Sequence, residues 1–96
     1  MTTETTNNGW WLYIVECADK SLYTGITNNL EQRLVKHNEG TASRYTRSRT
    51  PVRLVYHESQ PDRSNATRRE LAIKHLTRAM KLALINSTAR QPRKKR

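Results

Sequence analysis

Five polar side chains in this sequence have types and spacings suited to chemistry. Glu70 falls on the inner stripe of a late helical stretch, between Ala66 and Ile73, where a carboxylate is costly to desolvate unless it is paired or holds a metal. Two readings of it stand side by side. It forms an ion pair, with Lys74 four residues on or with Arg33 across the core. Alternatively, it is a ligand to a hard divalent cation such as Mg²⁺, which uses one or two carboxylates together with waters and phosphate oxygens. Arg33 and His37 are one helical turn apart and project from one side of an earlier helix. Both edge the buried stripe of that helix, an odd place for residues that serve only solubility. Tyr13 and Tyr23 each lie near the middle of an apolar run. Such pairs usually pack, and they gain chemical meaning only through the residues that meet them.

A second group is basic. The connection Thr41 to Pro51 carries Arg44, Arg47 and Arg49 around Tyr45. Three arginines so close together repel one another unless they share a counter-charge. The segment therefore reads as a phosphate-gripping loop with an aromatic that can stack on a base, against the plainer reading of an exposed loop held by turn residues. Lys74 joins these four as a nucleic-acid-contacting cation.

Composition agrees with a polyanionic partner. The chain has 96 residues, 18 Lys plus Arg against 8 Asp plus Glu, and a formal net charge of +10. So much positive charge on one small domain points to nucleic acid, DNA first with RNA as the alternative. Cys17 is the single cysteine, which excludes an intramolecular disulfide and a cysteine-based zinc cluster. It reads as a packed strand-end residue. No apolar run reaches the roughly 20 residues of a membrane span, and the polar start, 1–9, reads as a disordered leader with no signal-peptide pattern. The expected compartment is the cytoplasm, with no membrane partner.

Positioning these residues takes a small set of elements. Trp10 to Val15 is apolar without alternation, so it is a strand covered on both faces and central in its sheet. Leu22 to Ile26 follows closely enough to form an antiparallel hairpin with it. A two-residue loop at 19–20 puts Tyr13 and Tyr23 on opposite faces. A three-residue loop at 19–21 pairs Ala18 with Leu22 and puts both rings on one face. If the tyrosines work together, the loop must be odd-numbered.

Asn28 as N-cap, with Glu31 three residues on, opens a helix with inner stripe Leu30, Arg33, Leu34, His37. It runs to about Asn38 and stops at Gly40. Val52 to His57 is a third strand, ended near Pro61. Helix then extends from about Ser64 to Ile85, with inner face Ala66, Glu70, Ile73, Leu76, Met80, Ala83 and Leu84. That is long for a globular helix, so a break near Leu76–Thr77, capped by Thr77, is expected. Asn86 follows its end, and 87–96 is a basic, disordered tail. The expected fold is α+β: a three-stranded antiparallel sheet, first strand central, flanked by helices in the order β-β-α-β-α-(α), over a domain at 10–86.

Taken in order, Leu12-Tyr13-Ile14, Tyr23-Thr24-Gly25, Arg33 with His37, and Glu70 resemble the GIY-YIG nuclease superfamily. The closer likeness is to its small single-domain YhbQ-like group, which is also similar to the N-terminal incision domain of UvrC. EQRLVKHNEG, RTPVRLVYHE and RRELAIKHL fit that group too, so the resemblance spans about Trp10 to Ile85. Leu12 stands where the first Gly of the pattern is expected and Thr24 where the second Ile is; neither change removes a reacting side chain. The late asparagine of the family is only loosely matched by Asn86.

The resemblance implies a metal-dependent DNA endonuclease that hydrolyses phosphodiesters with little sequence specificity, in DNA repair or processing. Glu70 would hold one Mg²⁺ or Mn²⁺ at the scissile phosphate. Arg33 would bind a phosphate oxygen. Tyr13 would orient or deprotonate the attacking water, with Tyr23 beside it and His37 accepting or relaying the proton. A tyrosine is a poor base unless a nearby cation lowers its pKa from about 10. The alternative is a DNA- or RNA-binding module that keeps the nuclease fold without cutting.

Overall fold

The computed structural model describes residues 9–93, with side chains to 87. Residues 1–8 of the expected leader and 94–96 of the expected tail lie outside the described residues. The elements are β1 (Trp10–Glu16), β2 (Leu22–Thr27), α1 (Leu30–Glu39), α2 (Arg44–Arg47), β3 (Arg53–Gln60), α3 (Arg63–Lys74) and α4 (Arg78–Arg93). The sheet is antiparallel with order β2-β1-β3, so the strand with the unbroken apolar run is central. No helix among the described residues is long and apolar enough to cross a membrane.

Burial on both faces explains that run. Leu12, Ile14, Tyr56 and Ile73 form one core cluster, packed by Leu76, Leu84 and Ile85. Tyr13, Val15, Cys17 and Val52 form the other, packed by Tyr23, Leu30 and Leu34. Thus α3 and α4 close one face of the sheet and α1 closes the other. A register shift between Ile14 and Val15 pairs Ile14 with Tyr56 but Val15 with Leu54. Val55 is the extra residue, and this bulge sends Leu54 and Tyr56 to different faces.

The hairpin meets the odd-loop condition one residue earlier than expected. Cys17 N donates to Ser21 O and Lys20 N to Cys17 O, each at 2.8 Å, and Lys20 is left-handed at φ 73°. This is a turn followed by an αL residue, the usual three-residue hairpin geometry, with the loop at Ala18–Lys20 rather than 19–21. Leu22 therefore pairs with Glu16, not Ala18. Parity is unchanged: Gly25 faces Tyr13 and Tyr23 faces Val15, so both tyrosines lie on the α1 face.

Helix α1 is capped by Asn29, not Asn28: the Asn29 side chain accepts from Gln32 N at 3.1 Å. Glu31 therefore sits two residues after the cap, and the expected capping-box spacing is not made. At the other end Gly40 adopts φ 83° and its N–H closes the helix. Asn38 then pairs both amide atoms with the Val52 backbone, accepting from N at 2.7 Å and donating to O at 3.2 Å, which fixes α1 to the lead-in of β3. The basic connection is not irregular throughout, because Ser43 caps α2 within it by accepting from Thr46 N.

The late helical stretch breaks where expected, with Met80 N donating to Thr77 Oγ1 at 3.2 Å. The break resets the helical phase, so one continuous stripe cannot cross it. Met80 is 53% exposed and Ala83 is also exposed, while Leu84 and Ile85 turn inward. Helix α4 passes Ile85 and runs into the segment assigned to the tail. Asn86 lies inside α4 and is exposed, so it does not cap an end.

Candidate active site

The α1 face of the hairpin, α1 itself and α3 meet around a cleft of about 370 Å³, whose walls include Tyr13, Tyr23, Gly25, Arg33 and Glu70. Four of the five expected catalytic residues therefore share one cavity. The fifth, His37, is fully buried directly behind it.

Tyr13 is the hub. Its phenol oxygen lies 2.7 Å from His37 Nε2 and receives Arg33 Nε–H at 3.4 Å. Arg33 also donates from Nη2 to Ala42 O at 3.3 Å, which holds its guanidinium at the cleft wall with donors to spare. The other nitrogen of His37, Nδ1, is 2.8 Å from Thr46 Oγ1. Thr46 is itself buried and lies 3.1 Å from Ser43 Oγ. Two proton arrangements satisfy this chain. With the proton on Nδ1, His37 donates to Thr46 and accepts from Tyr13; with it on Nε2, both bonds reverse.

Electrostatics favour neutral groups at rest. Burial, reinforced by the Arg33 charge, pushes the His37 pKa down to about 4, so the imidazole is uncharged at neutral pH and keeps a lone pair. Burial raises the Tyr13 pKa, and the Arg33 hydrogen bond and charge offset only part of that rise. The nearby cation thus does not make Tyr13 a phenolate in the resting site.

Tyr23 packs its ring edge-on to His37, with centroids 5.3 Å apart. It also stacks on Tyr45 at 5.8 Å. The Arg49 guanidinium sits 4.0 Å from the Tyr45 ring centroid and pairs with Asp19 of the hairpin turn at 3.0 Å. Tyr45 and Arg49 are therefore engaged with one another and with Tyr23 at the surface, Tyr45 being 38% exposed, and a base stacking on Tyr45 would compete with those contacts. Arg44 and Arg47 are exposed on α2 and are not among the cleft walls.

Glu70 is aimed by the way α3 docks. Arg69 clamps Glu58 of β3, with Nε to Oε2 at 2.6 Å and Nη2 to Oε1 at 3.3 Å. Tyr56 OH also donates to Glu58. The adjacent Glu70 then reaches the cleft, and its Oε2 also meets Lys74 Nζ, one turn on, at 3.1 Å. The ion-pair reading of Glu70 is thus realised with Lys74. Among the described residues no three His, Cys, Asp or Glu converge as a metal cage. One carboxylate in the wall of this cleft still suits a hard cation that takes its remaining ligands from water and substrate.

Several neighbours escape sequence reading. Thr46 was one hydroxyl among many in its loop, and its role depends on the fold of α2. Trp10, Asn28 and Arg63 also line the cleft, from positions far apart in sequence. Nothing in their spacing joins Trp10 to Arg63, and Asn28 carried only a helix-capping signal.

A hairpin that presents two tyrosines to a helix-borne Arg–His pair, with a carboxylate from a later helix, defines a GIY-YIG type of catalytic domain. Residues 9–83 match the family model of the GIY-YIG catalytic domain, and the chain belongs to that family. It is 50% identical over 86 residues to a UPF0213 protein of Desulfotalea psychrophila, covering 88% of this chain and 78% of that one. A UPF0213 protein of Clostridium perfringens is 53% identical over 77 residues, covering 80% and 83% of the two chains. The solution NMR structure of a UPF0213 protein from Bacillus halodurans superposes with a TM-score of 0.53 at 42% identity, covering 80% of this chain and 82% of that one. These relatives are consistent with the small YhbQ-like group.

Proposed function

We propose that the protein is a metal-dependent endonuclease that hydrolyses phosphodiester bonds of DNA, with little sequence preference, in DNA repair or processing. The observation that carries this reading is the Tyr13 hydroxyl held between Arg33 Nε and His37 Nε2. A phenol that only packed would need one partner; this one has a cation on one side and a neutral base on the other.

With His37 protonated on Nδ1, Tyr13 O–H points to Nε2. Tyr13 can then take a proton from an attacking water while passing its own to His37, so no free phenolate is needed. Thr46 accepts from Nδ1–H and stabilises the imidazolium that forms. Arg33 keeps donors for a phosphate oxygen, and Tyr23 lines the water's approach. Glu70 would hold one Mg²⁺ or Mn²⁺, which when bound supplies positive charge at the scissile phosphate and the leaving oxygen.

The test is incubation of supercoiled plasmid and branched DNA with the protein, with Mg²⁺ or with a chelator. Nicking that requires the metal supports the enzyme. DNA binding without scission under every condition identifies a binding module instead.

A further inference from the structure

We propose that the Trp10–Arg63 end of the cleft is a phosphate subsite, which grips the nucleic-acid backbone beside the bond to be cut. The proposal rests on the phosphodiester-cleaving reading above for what lies at the other end.

Arg63 begins α3 and Glu70 lies seven residues on, which puts them on one helix face about 10.5 Å apart along the axis. Both line the same cleft. The strand that passes Glu70, Arg33 and Tyr13 must therefore continue along this face toward Arg63 or away from it. Among the described residues Arg63 makes no ion pair, whereas Asp19, Glu16, Glu58 and Glu70 are already matched with Arg49, Arg53, Arg69 and Lys74.

An exposed arginine in a first helical turn would ordinarily lose considerable rotamer entropy on gripping a ligand. Here its guanidinium lies 5.5 Å from the centre of the Trp10 ring, within cation–π range. Trp10 thus holds the charge over the cleft before any ligand arrives and leaves N–H donors for phosphate oxygens. The chemical class it fits is a backbone phosphodiester, read without regard to base. Trp10 acts through Arg63 as a positioning residue.

The experiment measures affinity for a short labelled DNA oligonucleotide across a KCl series, in a Glu70→Gln background and with a chelator present so that the oligonucleotide stays intact. Arg63→Gln should weaken binding roughly five- to tenfold and lower the slope of log Kd against log salt by about one. Arg68→Gln makes the same charge change about 140° round the same helix and should shift affinity less than about twofold. Trp10→Leu should weaken binding when Arg63 is present and add nothing in Arg63→Gln.

Equal effects of Arg63→Gln and Arg68→Gln, or no binding by the parent, overturn the subsite. Cleavage by the wild type is scored separately. An Arg63-specific loss of affinity in a protein that never cuts would retain the subsite and reject the nuclease reading.

Discussion

Gly25 lies directly across the β1–β2 pair from Tyr13, and a Cβ at Gly25 would stand 2.6 Å from the Tyr13 hydroxyl and 2.8 Å from its ring carbon Cζ. Side-chain space, not backbone torsion, is what requires glycine there. The final residue of Tyr23-Thr24-Gly25 is thus a seat for the phenol of Tyr13, linking the two tyrosine motifs physically.

Gly25→Ala should therefore tilt or lift the Tyr13 ring. The expected cost is about 1–3 kcal/mol from overpacking, with cleavage reduced more than stability accounts for. Thermal unfolding and initial cleavage rates on the same samples check this. A variant that cuts at the wild-type rate would show that the close approach does not set the phenol's position.

Thr46 should act through His37. Thr46→Val keeps the shape but removes the hydroxyl facing Nδ1, leaving a buried polar atom unpaired at about 1–3 kcal/mol. Cleavage should fall at least about tenfold, and Thr46→Ser should restore most of it. The His37 ring ¹⁵N shifts report the tautomer: the proposed mechanism expects the proton on Nδ1 in the wild type and a redistribution in Thr46→Val. An unchanged tautomer with full activity would reduce Thr46 to packing.

His37 also gives the fold a pH dependence of definite sign. Its pKa is held down at about 4, while in the unfolded chain it returns to about 6.5. Between those values the unfolded state binds a proton that the native state does not, so stability declines as pH falls from about 6.5 to about 4. Above about 6.5 this contribution is fully present. Its size is about 3 kcal/mol. Urea unfolding of the wild type and His37→Gln at several pH values isolates the effect, because the other titrations cancel in the difference. Parallel pH profiles for the two proteins would contradict it.

The architecture was legible in the sequence because its main signals are long-range patterns. An unbroken apolar run placed β1 at the centre, and Gly40 and Thr77 mark helix boundaries through their own chemistry. What failed was local register. Asn28 and Asn29 are chemically equivalent as caps, and only the path of the chain selects Asn29. A left-handed Lys20, where Gly or Asn is usual, moved the hairpin loop by one position. Met80 faces solvent rather than the core because a helix break erases the phase that a stripe relies on.

The gathering of Tyr13, Tyr23, Arg33 and Glu70 was legible through the resemblance to the GIY-YIG pattern, but the contacts of Thr46, Trp10 and Arg63 arise only once distant segments are folded together. The Lys74 partner of Glu70 was visible as a spacing and is made. Tyr45 read as a free stacking surface, yet Tyr23 and Arg49 engage it.

The ion pair at Glu70 bears on metal use. Glu70→Gln removes the charge while keeping the size, and should eliminate metal-stimulated cleavage while leaving the folded state within about 1 kcal/mol, because an ion pair whose lysine is half-exposed contributes little. A Mg²⁺ titration of activity, with circular dichroism to monitor the fold, checks both halves. Undiminished cleavage in Glu70→Gln would remove this residue from the metal site.

In the proposed reaction Tyr13, set between Arg33 and His37, handles the proton in phosphodiester hydrolysis. Its most direct test is single-turnover cleavage of labelled DNA by wild type and Tyr13→Phe in Mg²⁺, with DNA affinity measured on both. Wild-type cleavage is expected to depend on the metal and to be lost, by at least about a hundredfold, in Tyr13→Phe at nearly unchanged affinity. Cleavage by Tyr13→Phe at the wild-type rate would contradict it.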